Sequence, residues 1–180
     1  NTVIRESVTI SRGTNDKFRT EVGKNCLLMA YVHVAHDCIV GNNCIFANTV
    51  QLAGHVTIED WAIIGGASAI HQFVKVGAHV MISGGSLVRK DVPPYTKAAR
   101  EPLTYAGVNT VGLRRRGFSP EKINDIQEIY RYIFLKGLNN SKALDLVEQE
   151  LAPSEERDYI VSFIRTSERG VMKGFSANAA

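Results

Sequence analysis

At 180 residues, with 44% apolar side chains, the chain has material for one cored domain plus an appendage. Its net charge of +3 permits an acidic partner but falls far short of the dense basic footprint of a nucleic-acid binder. No apolar run approaches the roughly 20 residues of a membrane span, and no charged leader followed by an apolar stretch marks a secretory signal.

From the N-terminus onward, an aliphatic residue or Phe recurs at every sixth position. The series runs Ile4, Ile10, Val22, Leu28, Val34, Val40, Phe46, Leu52, Ile58, Ile64, Ile70, Val76, Ile82, Val88, broken only by Asp16. Four positions later stands a small residue or Val, as at Cys26, Val32, Cys38, Cys44, Val50 and Ala62. A period of six suits neither a helix nor a flat strand. Three hexads make one triangular coil of a parallel β-helix, about 18 residues per turn, in which each coil covers its neighbour's apolar interior. The three cysteines, Cys26, Cys38 and Cys44, all occupy the small inward position and read as buried hydrophobes. Unpaired thiols suit a reducing, cytoplasmic compartment.

The hexad at "NDKFRTE", residues 15–21, places Asp16 where the wall needs an apolar side chain. It is expected to bulge outward as a loop, the kind of segment that carries contacts in such scaffolds. The chain starts at Asn1, without Met and inside the repeat, so further coils are expected upstream. The repeat gives way at "DVPPYTKAAREP". The reading is a β-helix over 1–93, a connector over 94–118 and a small C-terminal helical domain over 119–180. There Ser119 is the expected N-cap, with Pro120 at the first helical position and Glu121 in the first turn. Ile123, Ile126, Ile129, Tyr130 and Ile133 recur at helical spacing, and Gly137 closes the helix. "SKALDLVEQEL" and "SEERDYIVSFIRTSERG" supply two more amphipathic helices, expected to pack as a cap.

Residues 18 apart stack on neighbouring coils at about the 4.8 Å spacing of paired strands. His36 then stacks with Gly54 and Gln72, Asp37 with His55 and Phe73, Ala35 with Ala53 and His71, and His33 with Gln51 and Ala69. Four of the five histidines converge on one side, while His79 belongs with Asn43 and Trp61 on another face. Two chemistries fit the cluster. Imidazoles can bind a metal. Alternatively, His36 can serve as a general base, with a Gly54 N–H for an oxyanion and Asp37 to orient the ring. The second uses Gly54 and Gln72, but Asp37 can reach His36 only if the chain bends there, since adjacent residues on a strand point apart.

The stretches "HVAHDCIVGNNC", "LAGHVTIEDWAIIGG", "AIHQFVKVGAHVM", "DVPPY" and "GVNTVGLRRRGFS", in this order and followed by helices, resemble the UDP-N-acetylglucosamine O-acyltransferases. The resemblance covers nearly the whole chain. It implies a left-handed parallel β-helix and a homotrimer with active sites between subunits. It also implies transfer of a 3-hydroxyacyl group from acyl carrier protein to the glucosamine 3-hydroxyl of UDP-N-acetylglucosamine, the first step of lipid A biosynthesis, with neither cofactor nor metal. By motif, His36 matches the general base, Asp37 its assistant and Gly54 the oxyanion donor. His33, His55, His71 and Gln72 match residues lining the substrate site. Asn109, Arg115 and Arg116 match groups near the nucleotide and the phosphopantetheine arm, and Gly84 and Gly85 match the end of the acyl groove. Val111 departs from the pattern, standing where an acidic nucleotide contact is expected. The alternatives are an N-acyltransferase of the same pathway, a γ-carbonic-anhydrase-like zinc hydrolase, and a purely structural solenoid.

Overall fold

The computed structural model describes residues 1–174; the last six residues of the expected helical segment lie outside the described residues. Two-residue strands recur from Val3–Ile4 to Leu87–Val88. Within each coil strand from Leu27–Leu28 onward, the first residue faces outward and the second is buried. This is the period-2 alternation of a strand cut to a single repeat by the next bend. The buried residues are the sixth-position series, from Leu28 to Val88, with Cys26, Val32, Cys38 and Cys44 filling between them.

The strands stack in parallel as three walls of a triangular β-helix. One wall carries Ile45–Phe46, Ile63–Ile64 and Met81–Ile82, the next His33–Val34, Gln51–Leu52 and Ala69–Ile70, and the third Ile39–Val40, Thr57–Ile58 and Lys75–Val76. At the corners the second bend residue takes positive φ, including Asp37, His55 and Phe73 at one corner and Asn43, Trp61 and His79 at another. Such φ values cost an L-residue roughly 1–2 kcal/mol each. Interior burial and the coil-to-coil ladder hold the bends in place. Ile64 is fully buried in that interior, so Ile64→Ala is expected to lower unfolding free energy by about 2–5 kcal/mol, read as a lower urea midpoint.

The three thiols are free and buried. Cys38 and Cys44 donate weakly to the carbonyls of Ala53 and Glu59 on the next coil, at 3.1 and 3.2 Å. Burial pushes the Cys44 thiol up to about 12, so it is no nucleophile near neutral pH.

Asp16 leaves the wall. Val3 pairs with Leu27 and Thr9 with His33, 24 positions on, whereas Glu21 pairs with Ile39, 18 positions on. Six extra residues are therefore ejected between Ile10 and Glu21. The legs of this excursion cross at Gly13, where a Cβ would sit 2.0 Å from the Arg19 nitrogen.

Beyond the repeat, Thr96–Ala99 adds in parallel to Met81–Ile82 and turns antiparallel into Thr104–Val108, which also pairs with Lys173–Gly174. A short helix α1 (Thr110–Arg115) follows, then α2 (Pro120–Leu135), α3 (Asn140–Glu150) and α4 (Glu155–Arg165). Ser119, Asn139 and Ser154 cap the last three, each side chain accepting a backbone N–H of the first turn, as N-cap chemistry requires. Gly137 ends α2 with φ +69°. The helices share a core of Ile126, Tyr130, Ile133, Leu144, Val147 and Ile160. They are tied to the β-helix by the Tyr130 hydroxyl, which donates to the Pro94 carbonyl at 2.6 Å, and by the Tyr159 hydroxyl, which donates to Glu59.

Candidate active site

The corner of the β-helix supplies the bend that His36 and Asp37 need. Asp37 sits at φ +59°, which swings its carboxylate back toward its neighbour. His36 Nδ1 lies 2.8 Å from Asp37 Oδ2. The Asp37 side chain is wholly buried, yet His36 is 44% exposed, so the pair has one sealed end and one open end. Burial alone would raise the Asp37 carboxyl. Hydrogen bonds from the Thr14 hydroxyl, from His36 and from the backbone N–H groups of Thr14 and Lys17 outweigh it and hold the carboxyl well below the usual carboxylate range. An ionised carboxylate only accepts. In the neutral imidazole the proton must therefore sit on Nδ1, leaving the Nε2 lone pair free.

Gly54 stacks directly on that ring. A Cβ at Gly54 would lie 2.6 Å from His36 Cε1 and 2.7 Å from Nε2, so only glycine leaves the imidazole where it is. Among the described residues the Gly54 N–H has no acceptor, while its carbonyl accepts from Phe73 at 3.2 Å. The same bend position uses its N–H elsewhere: Asn42 donates to Asp60 and Ala78 to Glu59. An unused N–H therefore borders the Nε2 of His36.

His55 completes the corner. Its ring meets His36 edge-on at 5.1 Å and stacks on Phe73 at 4.7 Å. Its Nδ1 is buried without a hydrogen bond, 3.4 Å from Asp16. His33 sits three positions before His36, outward-facing on the wall, and its Nδ1 lies 2.7 Å from the Thr9 hydroxyl. His71 and Gln72 are exposed on the next coil, with His71 Nδ1 3.3 Å from the Gln72 carbonyl. His36, Asp37 and His55 place ligand-type atoms within 4.8 Å of one another, so they also satisfy the geometry of a metal cluster. The hydrogen bonding favours the dyad, because Asp37 Oδ2 already accepts from His36 and Thr14 and Oδ1 from Thr14 and Lys17.

The remaining expected residues lie at the other two corners. Gly84 stacks on Gly66, and Gly85 donates to the Gly66 carbonyl at 2.8 Å with φ +70°. Asn109 is buried as the N-cap of α1, accepting from the Gly112 N–H at 3.2 Å and donating to the His79 carbonyl at 2.9 Å. Arg115 is exposed on α1, as is Val111. Arg116 lies 5.2 Å over the Trp61 ring and 3.3 Å from His79 Nδ1. A cavity of about 620 Å³ lies farther on, lined by Leu87, Arg89, Lys90, Arg100 and Met172 among others, and includes none of the histidines.

An aromatic stack at the Arg116 corner escaped the sequence reading. Trp61, His79 and Tyr95 lie nearly parallel, and Phe118 closes on His79 and Tyr95 edge-on. The 18-residue column gives Trp61 and His79, but Tyr95 and Phe118 come from beyond the repeat. Burial, reinforced by the Arg116 charge, pushes His79 down to about 4 from its ordinary value of 6.5. Unfolded His79 takes up a proton as pH falls through about 6.5, which the folded protein refuses. Its contribution to stability is therefore complete above that pH and is lost as pH falls toward about 4. The His79 ring resonances are expected to stay unshifted in an NMR titration between about pH 8 and 5, within the window where an ordinary histidine titrates; a midpoint near neutrality would contradict the buried, cation-flanked setting.

Comparison with known proteins places the chain in a family. Residues 91–172 match the family described as UDP-N-acetylglucosamine O-acyltransferase, domain 2, and residues 19–54 match the bacterial transferase hexapeptide family. The chain is 42% identical over 172 residues to the acyl-[acyl-carrier-protein]–UDP-N-acetylglucosamine O-acyltransferase of Thiobacillus denitrificans, covering 95% of this chain and 67% of that one. The crystal structure of the UDP-N-acetylglucosamine acyltransferase from Bacteroides fragilis superimposes with a TM-score of 0.93 at 53% identity, over 96% of this chain and 68% of the other. That of the Francisella novicida enzyme gives 0.93 at 40% identity, over 99% and 65%. Sequence repeat, solenoid and helical cap agree across these proteins: the chain belongs to the UDP-N-acetylglucosamine O-acyltransferase family of hexapeptide-repeat acyltransferases.

Proposed function

We propose that the protein transfers a 3-hydroxyacyl group from acyl carrier protein to the glucosamine 3-hydroxyl of UDP-N-acetylglucosamine, the opening step of lipid A biosynthesis, with His36 as general base. Family membership supports the reaction. The observation that carries the base is the His36 ring, whose Nδ1 is held at 2.8 Å by an ionised Asp37 while Nε2 stays free beside Gly54.

In this mechanism His36 Nε2 removes the proton of the sugar hydroxyl as its oxygen attacks the thioester carbonyl carbon. The C–O bond forms and the carbonyl electrons move to oxygen, where the Gly54 N–H meets the oxyanion. Asp37 stabilises the imidazolium through Nδ1. Collapse breaks the C–S bond, and His36 returns its proton to the departing sulfur. The products are the O-acyl sugar nucleotide and the free carrier thiol, with the base regenerated.

Arg115 and Arg116 suit the diphosphate or the acidic carrier protein, yet within one chain they occupy a different corner from His36. This separation supports a homotrimer in which the Arg116 corner of one subunit faces the His36 corner of the next. The histidine–carboxylate cluster gives the zinc-hydrolase reading its one specific support. A single preparation tests both. Purified protein incubated with UDP-N-acetylglucosamine and carrier-linked 3-hydroxyacyl chains of several lengths is expected to yield the 3-O-acyl product. Stoichiometric zinc, together with no acyl transfer at any chain length, would sink the proposal.

A further inference from the structure

The ejected hexad has a specific target. Both legs of the excursion end on Asp37, the buried partner of His36. Thr14 donates its hydroxyl to Asp37 Oδ2 at 2.6 Å, and its backbone N–H reaches Oδ1 and Oδ2 at 3.0 and 3.2 Å. Lys17 adds a backbone N–H to Oδ1 at 3.3 Å. On the returning leg, the Thr20 hydroxyl accepts from the Asp37 N–H at 2.9 Å. The loop is fixed in turn by Phe18, whose N–H donates to the Thr14 carbonyl at 2.8 Å, and by the crossing at Gly13. Wall residues of the regular hexads spend their N–H groups on the adjacent coil, whereas Thr14 and Lys17, ejected from the wall, turn theirs on Asp37.

We infer that Thr14 is a positioning residue for acyl transfer: its hydroxyl fixes Asp37 Oδ2, the same oxygen that holds His36 Nδ1, and so aims Nε2 at the sugar hydroxyl. The inference rests on His36 being the base. A carboxylate with four donors converging on it has one orientation. Without the Thr14 hydroxyl, Oδ2 keeps only His36 and the longer Thr14 N–H contact at 3.2 Å, and the carboxylate can tilt about its Cβ–Cγ bond. The imidazole then follows it. Thr14 touches no reacting atom in this arrangement and acts only through Asp37.

The test compares Thr14→Val, which keeps the shape and removes the donor, with Thr14→Ser, which keeps the donor, in the full-length chain. His36→Ala serves as the reference. Thr14→Val is expected to lower kcat by roughly 10- to 10²-fold, the range for a misplacement of up to about 1 Å, with KM for UDP-N-acetylglucosamine nearly unchanged. Thr14→Ser is expected to restore most of the loss. In ¹⁵N NMR the neutral His36 ring is expected to be the Nδ1–H tautomer in the parent and a mixture in Thr14→Val. Should Thr14→Val not fold, Thr14→Ala takes its place in the same comparison. Parent-like kcat in Thr14→Val beside an inactive His36→Ala overturns the role of Thr14 and leaves the base standing. Equal losses in Thr14→Val and Thr14→Ser overturn the role of the hydroxyl. An active His36→Ala removes the base itself, and the positioning role with it.

Discussion

His36→Ala is expected to fold normally and to lose acyl transfer by about 10²–10⁴-fold, the usual contribution of a positioned general base. The side chain is 44% exposed and belongs to neither apolar core, so truncating it opens no cavity. Asp37 keeps its hydrogen bonds from Thr14 and Lys17 and is not stranded. Thermal unfolding and oligomeric mass are therefore expected to match the parent while the initial rate collapses. Residual turnover follows from substrate binding and the Gly54 N–H, which the substitution leaves in place. A folded His36→Ala with near-parent turnover would refute the assignment.

Gly54→Ala is expected to have the second large effect, by a route that separates activity from stability. The Gly54 φ lies outside the left-handed region, so alanine meets no backbone penalty and reduces the entropy of the unfolded chain. The added methyl lies 2.6 Å from His36 Cε1, well inside contact distance. Only the far end of a partly exposed imidazole has to yield. Swinging that ring aside breaks its 2.8 Å bond to Asp37 and removes Nε2 from its place. A shift of about 1 Å is worth about 10²-fold in rate. The melting temperature is expected to hold or rise slightly while kcat falls by that order. A loss of stability with unchanged kcat in the folded fraction would show that Gly54 serves the wall and not the base.

Much of this was legible in the sequence because a β-helix turns linear spacing into neighbourhood. Once the period of six is counted, 18 positions on means one coil above, so His36 beneath Gly54 and His55 beside Asp37 follow by arithmetic. The inward cysteines follow the same way. The arithmetic also marked Asp16 as the place where the wall fails, but not where the ejected residues go. The Thr14 and Thr20 contacts depend on a loop with no period, closed by the approach of Gly13 to Arg19. The strands at Thr96–Ala99 and Thr104–Val108 and the short α1 escaped for the same reason: each is a single element without a repeat or helical face to announce it. The Asp37–His36 contact lay between these cases. It needed a bend that alternation along a strand denies, and the corner at φ +59° supplies it. The spacing also says nothing about assembly. The structure, not the spacing, puts Arg116 with Trp61 and His79, a corner away from His36, and the proposed trimer is what would bring such corners together.

The most direct test of the central claim is kcat/KM of His36→Gln, measured beside the parent and His36→Ala on the same acyl donor. Glutamine keeps polar groups at the site but cannot take up the proton of the sugar hydroxyl, so His36→Gln is expected to fall as far as His36→Ala. Parent-like kcat/KM in His36→Gln would show that the side chain positions substrate without taking its proton, and would contradict His36 as the base.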